Sequence, residues 1–228
     1  MIQPAPILVF DVNETLLDLT TLEPLFETIF GDRHAMRDWF AELILYSQTL
    51  TLAGDYRPLN ELAGATLRMQ GDIAGLTITD ADVRSLAAAI ASMPAMDDAI
   101  PALERFRMAG FRRVTLTNSP PAASPTPLER AGLAGYFEQH FSVDAVRCFK
   151  PAPACYRHVA DGLGVPTADL CLVACHGWDT LGAEAVGCQS AFVKRPGNAL
   201  ITLSGVPGSA FIADDLCSLA TLMGCPSP

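Results

Sequence analysis

The chain has 228 residues, enough for one large domain or for a core with a smaller insert. Half of the residues are hydrophobic and 18% are charged, which supplies a sizeable core and excludes general disorder. Against 25 acidic residues stand 15 basic ones, for a formal charge of −10, and no basic cluster exceeds the pair Arg112-Arg113; this argues against nucleic acid as a partner and requires local groups to hold any anionic substrate.

The first element is an apolar run, Ile7 to Val12, that reads as a buried parallel strand and contains a carboxylate, Asp11, near its end. Only four strongly apolar residues precede that aspartate, too few for a signal peptide, and no stretch approaches the roughly 18 to 20 apolar residues that span a bilayer. A cytoplasmic protein without membrane contact is expected. From about Leu16 to Pro94 the pattern turns helical, with "HAMRDWFAELILYSQTLTLAG", "LNELAGATLRMQG" and "TDADVRSLAAAIASM", and offers no convincing strand. "DDAIPALERFRMAG" then predicts a helix with Ile100, Leu103 and Phe106 spaced by three and Gly110 as its stop.

Strands follow at Val114 to Thr117, Leu170 to Ala174 and Ala191 to Val193, separated by the proline-rich loop "SPPAASPTP" and by the helical segments "PAPACYRHVADGLG" and "WDTLGAEAVG". Strand alternating with helix predicts an α/β protein with a doubly wound parallel sheet. Residues 1–15 and 95–228 would form the core, and residues 16–94 a helical insert over the carboxyl ends of the strands, where open α/β sheets bind ligands. Seven cysteines without a CxxC pair fit reduced thiols better than a disulfide framework.

Four features fall at one edge of this sheet: Asp11 and Thr15 after the first strand, Thr117-Asn118-Ser119 after the second, Lys150 before a helix, and His176 with Asp179 after "LCLVAC". Each alone has an ordinary explanation as a cap, a loop residue or a solvated side chain. Their joint placement at corresponding strand ends is what points to a site.

That order, DxxxT, a hydroxyl residue with Asn, Lys-Pro and a late acid, resembles the haloacid dehalogenase superfamily, with its Rossmann-like core and inserted helical cap. Tyr156 six residues after Lys150 and the segment "GWDTLGA" are similar to the L-2-haloacid dehalogenase branch. The resemblance implies hydrolytic dehalogenation of short (S)-2-haloalkanoic acids, with Asp11 as nucleophile forming an ester and inverting the attacked carbon. It also implies that Lys150 keeps Asp11 ionised, that Thr15 and Thr117 hydrogen-bond carboxylates, that Asn118 meets the leaving halide and that Trp178 walls the pocket. Tyr156 and Asn13 are counted with the substrate-binding residues.

Asn13 separates this reading from that of the superfamily's phosphatases, which place there a second aspartate to protonate an alcohol leaving group; a halide needs no proton. No cofactor and no obligatory Mg²⁺ are expected, although Asp11 and Asp179 are able to hold one. Related dehalogenases carry asparagine and serine where this chain has His176 and Ala174, so His176 is either a base for the hydrolytic water, oriented by Asp179, or a hydrogen-bonding replacement. Where relatives place a halide-receiving arginine on the first cap helix, this chain has Phe40, with Arg37 three residues earlier. Phe40, Ile44 and Leu59 also fit a cap core. A small-molecule phosphatase and a noncatalytic relative are the alternatives; the partners otherwise expected are the halocarboxylate and, through an exposed face of the cap helices, a second copy of the chain.

Overall fold

The computed structural model describes residues 5–206 and 208–226; residues 1–4, 207, 227 and 228 of the expected core segments lie outside the described residues. Six strands form one parallel sheet: β1 (Ile7–Phe10), β2 (Arg113–Thr117), β3 (Gln139–Ser142), β4 (Leu170–Ala174), β5 (Gln189–Val193) and β6 (Phe211–Ala213). Their order is β3-β2-β1-β4-β5-β6. Every residue of β1 and of β4 is buried, as a strand between two helical layers must be. The order reverses between β1 and β4, and at that switch point a crevice opens beyond the carboxyl ends of the strands.

The first strand stops at Phe10 rather than at Val12. Asp11 still donates its N–H to Val173 of β4 at 3.0 Å, and the chain then closes a tight turn in which Leu16 and Leu17 both donate to the Val12 carbonyl at 2.9 and 3.0 Å. Strands β3 and β6, at the two edges of the sheet, are absent from the expected elements: β3 opens on the polar, exposed Gln139 and His140, and β6 is only three residues long.

Between β1 and residue 94 come four α-helices among the described residues, α1 (Glu23–Phe30), α2 (Ala35–Ala53), α3 (Leu59–Ala74) and α4 (Asp80–Ala91). Their buried side chains, among them Phe26, Trp39, Leu43, Leu67 and Leu86, join the same apolar core as the strands. The Trp39 indole N–H donates to the Ala63 carbonyl at 3.0 Å, tying α2 to α3, and the Phe26 ring lies 5.3 Å from Trp39. The chain leaves and re-enters the sheet half along one paired stretch, where Asp18 donates to Pro94 at 2.9 Å and Met96 to Leu16 at 2.8 Å. Across the junction, Tyr56 donates to Asp144 at 2.9 Å and the Phe149 N–H to Thr51 at 2.9 Å.

Around the sheet lie α5 (Ala99–Met108), the one-turn α6 (Pro127–Arg130), α7 (Pro153–Leu163), α8 (Gly177–Glu184) and α9 (Leu216–Leu222). In α5 the expected apolar stripe is corrected at one position. Ile100 is exposed, and the buried face is Ala99, Ala102, Leu103 and Phe106. Gly182 lets α8 approach α7 closely, since a Cβ there would collide with Pro151 and with the Tyr156 hydroxyl.

Among the described residues no helix is long and apolar enough to cross a membrane. The seven cysteines are free thiols. Burial pushes Cys171 up to about 12 and Cys188 up to about 11, so both remain protonated and pack as small hydrophobes.

Candidate active site

Lys150 is the centre of the constellation. Its side chain is fully buried, and its ammonium donates to Asp11 at 2.7 Å, to Asp179 at 2.6 Å and to the Leu116 carbonyl at 3.2 Å, which uses all three protons. Burial disfavours the charged amine, but the carboxylates of Asp11 and Asp179 outweigh it and hold its pKa above the ordinary lysine value. The same contacts act on Asp11: burial opposes its ionisation, while Lys150 and His176 overcome that and hold the carboxyl well below the usual range. Asp179 moves the other way, raised by burial and by the negative charge of Asp11. It is nonetheless an acceptor on both oxygens, because Tyr156 donates to one at 2.7 Å and Lys150 to the other.

The second oxygen of Asp11 accepts from the Thr15 hydroxyl at 2.8 Å, and Thr15 in turn accepts from the Cys175 N–H at 3.0 Å. Thr15 is also fixed through its carbonyl, which accepts from Arg195 at 2.8 Å; Arg195 forks onto Asp98 with two further bonds of 2.8 Å. Asp11 is thus oriented from both strands that flank the switch point.

His176, just ahead of α8, supplies a feature absent from the sequence reading. Its Nδ1 lies 3.2 Å from Asp11, and its Nε2 lies 2.8 Å from Glu14, a residue only 1% exposed. A ring whose two nitrogens both face ionised carboxylates carries both protons. Burial works against that cation, while the sulfur of Cys175 and the carboxylates of Asp11 and Glu14 favour it and raise the imidazole well above its ordinary value. Glu14 is lowered in spite of burial by His176 and Arg37. The Arg37 guanidinium reaches from α2 to pair with Glu14 and also donates to the Pro196 carbonyl at 2.9 Å. Three carboxylates therefore face three cations, so the buried cluster carries little net charge.

Asp11, Asn13, Thr117, Asn118, His176 and Trp178 line a small pocket of about 20 Å³, closed from the helical side by Phe40, Ile44 and Leu59. His176 stacks on Trp178 with 5.0 Å between ring centres, and the tilted ring of Phe40 lies 5.7 Å away. The Asn118 carbonyl oxygen accepts the Lys150 N–H at 3.1 Å, the Thr117 hydroxyl accepts the Ser119 N–H at 3.1 Å, and Asn13 donates to Ser119 at 3.4 Å.

Two expectations are corrected. Asp179 does not orient His176, because α8 aims its carboxylate at Lys150 and Tyr156, and the partner of the imidazole is Glu14. Tyr156 does not line the pocket; it is 2% exposed and stands behind Asp179. Glu14 itself sits at φ 66°, a left-handed conformation uncommon for a non-glycine residue, and that backbone turn aims its side chain at His176 and Arg37.

Asp11, Cys175 and His176 bring an oxygen, a sulfur and a nitrogen within 4.8 Å of one another, a spacing compatible with a metal ion. Asp11 and His176 are already engaged in ion pairs, however, and the space between Asp11 and Asp179 is filled by the Lys150 ammonium. The cluster's own cations do the neutralising that a divalent ion would do.

A family model described as haloacid dehalogenase-like hydrolase matches residues 6–187. The chain is 30% identical to (S)-2-haloacid dehalogenase 1 of Pseudomonas sp. (strain CBS-3) over 82% of this chain and 83% of that protein. It is 29% identical to the (S)-2-haloacid dehalogenase of Xanthobacter autotrophicus over 82% of this chain and 74% of that one. Among solved structures, an L-2-haloacid dehalogenase from Xanthobacter autotrophicus superposes with a TM-score of 0.87 at 25% identity, covering 96% of this chain and 98% of the other.

Proposed function

Because the chain belongs to the haloacid dehalogenase-like hydrolase family, we propose that it hydrolyses the carbon–halogen bond of short (S)-2-haloalkanoates, yielding 2-hydroxy acids through an ester on Asp11. The observation that carries this reading is the state of Asp11: a carboxylate held ionised by Lys150, oriented by Thr15, and lining the pocket with no second acid at position 13. Asn13 has no proton to give an alkoxide, and none is needed when the group that departs is a halide. Residues 16–94 act as the cap that excludes water from the pocket through Phe40, Ile44 and Leu59.

Asp11 attacks the carbon bearing the halogen from the rear, the C–O bond forms, and the halide leaves with the bonding electrons. Asp11 has then lost its negative charge, so His176 has lost one of its two anionic partners and its proton is released more readily. The neutral imidazole accepts a proton from water as the hydroxide adds to the Asp11 carbonyl carbon. Collapse of that adduct expels the hydroxy-acid oxygen, which takes the proton back from His176, and the Asp11 carboxyl proton recharges the imidazole. One proton leaves per halide, as the overall hydrolysis requires. Glu14 orients the ring throughout, and Arg37 holds Glu14 from the cap side. With arginine absent at position 40, the positive charge closest to the nucleophile on the pocket wall is His176.

The reading is tested by incubating the protein with (S)-2-chloropropionate in EDTA and, separately, with p-nitrophenyl phosphate and Mg²⁺. Chloride release in the first and no phosphate release in the second are expected; the reverse result would replace dehalogenation with phosphatase chemistry. For the base role, His176→Asn should give a burst of halide equivalent to the enzyme, followed by turnover slowed by roughly 10²-fold or more. Equal slowing of burst and turnover would restrict His176 to holding Asp11 in place.

The raised imidazole also has a signature in stability. Between the unfolded value near 6.5 and its higher folded value, the native chain holds a proton that the unfolded chain lacks, so this contribution is full below pH ~6.5 and is lost as pH rises. The fall in Tm from pH 7 toward pH 9 should therefore be smaller in His176→Asn than in the wild type. An identical slope in both would mean that the ring is neutral in the folded protein.

A further inference from the structure

The reaction pocket accommodates little beyond the reacting atoms, yet a much larger space adjoins it. A cleft of about 520 Å³ lies between the cap helices and the β2 and β3 side of the sheet, and it shares Asn13, Phe40, Leu59 and Thr117 with the pocket around Asp11. Its size is that of a site for a drug-sized molecule. Its walls are apolar, with Leu43, Ala63, Leu86 and Ile90 from the helices and Pro121 and Leu128 from the core.

Charge decides what this cleft accepts. No Asp, Glu, Lys or Arg is found among its lining residues. Its one histidine, His140, is lowered by burial below the ordinary imidazole value and bonded to Thr115 at 3.1 Å. An ionised substituent would lose its hydration there without a charged partner, whereas an alkyl or aryl group would lose nothing.

Resting on the dehalogenase reading above, we propose that this cleft is a tail subsite, and that the substrates extend beyond haloacetate and 2-halopropionate to 2-haloalkanoates with a medium-length uncharged alkyl or aryl tail. The halogen, the carboxylate and the reacting carbon stay beside Asp11. The third substituent on that carbon passes between Phe40 and Thr117 into the cleft.

The test is a length series: chloroacetate, then (S)-2-bromopropionate, -butyrate, -hexanoate and -octanoate, with kcat/KM measured from bromide or chloride release. Across the bromoacids kcat/KM should rise by roughly three- to four-fold per added methylene, the factor that corresponds to about 0.8 kcal/mol per buried CH₂. Ala87→Trp and Ala122→Trp narrow the cleft from opposite walls at exposed positions that folding tolerates. Each should cut the octanoate value by about ten-fold or more and leave chloroacetate within about two-fold. A wild-type kcat/KM that falls beyond butyrate, or an octanoate value untouched by both variants, overturns the tail subsite while dehalogenation stands. Halide release from none of the acids would remove both.

Discussion

Lys150→Met is expected to destabilise the fold by about 3–5 kcal/mol, the usual cost of removing one partner from a buried ion pair. Methionine keeps much of the stem but none of the charge, so Asp11 and Asp179 would face each other across a fully buried gap, and the Leu116 carbonyl would lose its donor. Two neighbouring carboxylates in a low-dielectric setting do not both stay ionised, and one takes up a proton at neutral pH. The variant's folded carboxyl then has a raised pKa, so its deficit relative to wild type should shrink as pH falls from 7 toward 5. Urea unfolding at the two pH values checks this. A variant as stable as wild type at pH 7, with no dependence on pH, would mean that the ammonium does not carry the cluster. Activity should fall along with stability, because Asp11 loses the ammonium that holds one of its oxygens in place.

The residues at the strand ends show why so much of the site was legible. In a parallel sheet, strand ends at the carboxyl edge are neighbours, so Asp11 after β1, Asn118 after β2 and His176 after β4 were bound to converge once the strands were placed. Four strands were readable because burial on both faces writes them as apolar runs. The edge strands β3 and β6 were not, because β3 opens on two polar residues, Gln139 and His140, and the three residues of β6 are too few to stand out as a strand. Glu14 escaped for another reason. Its partnership with His176 depends on a left-handed backbone turn, and that with Arg37 on where α2 settles; neither leaves a periodicity to read. Arg37 was noticed as one turn away from the expected arginine, and the structure gives that cation a different task, bracing Glu14 rather than facing the pocket. The expected pairing of Asp179 with His176 failed because sequence proximity does not fix direction: α8 begins at Gly177, and its first turn points Asp179 toward α7.

The largest effect of all is expected from Asp11→Asn, which should lower halide release by on the order of 10⁴ to 10⁶-fold, the range seen when a covalent nucleophile is removed. An amide oxygen lacks the charge that drives displacement. The new amide nitrogen would also meet donors, since Lys150 points at one oxygen of Asp11 and Thr15 with His176 at the other. The loss is one of chemistry rather than of packing, because asparagine has nearly the same shape and the fold should remain intact by circular dichroism. What separates a nucleophile from a general base is the origin of the product oxygen. In a single turnover of the wild type in ¹⁸O-water, attack by Asp11 delivers an unlabelled hydroxyl and leaves the label in the Asp11 carboxylate, whereas water activated by Asp11 as a base would label the product at once. Isotope found in the product of the first turnover would therefore move Asp11 from nucleophile to base. The ester would then drop out of the mechanism, and with it the step that discharges His176, since that step depends on the negative charge beside the ring being consumed in forming the C–O bond.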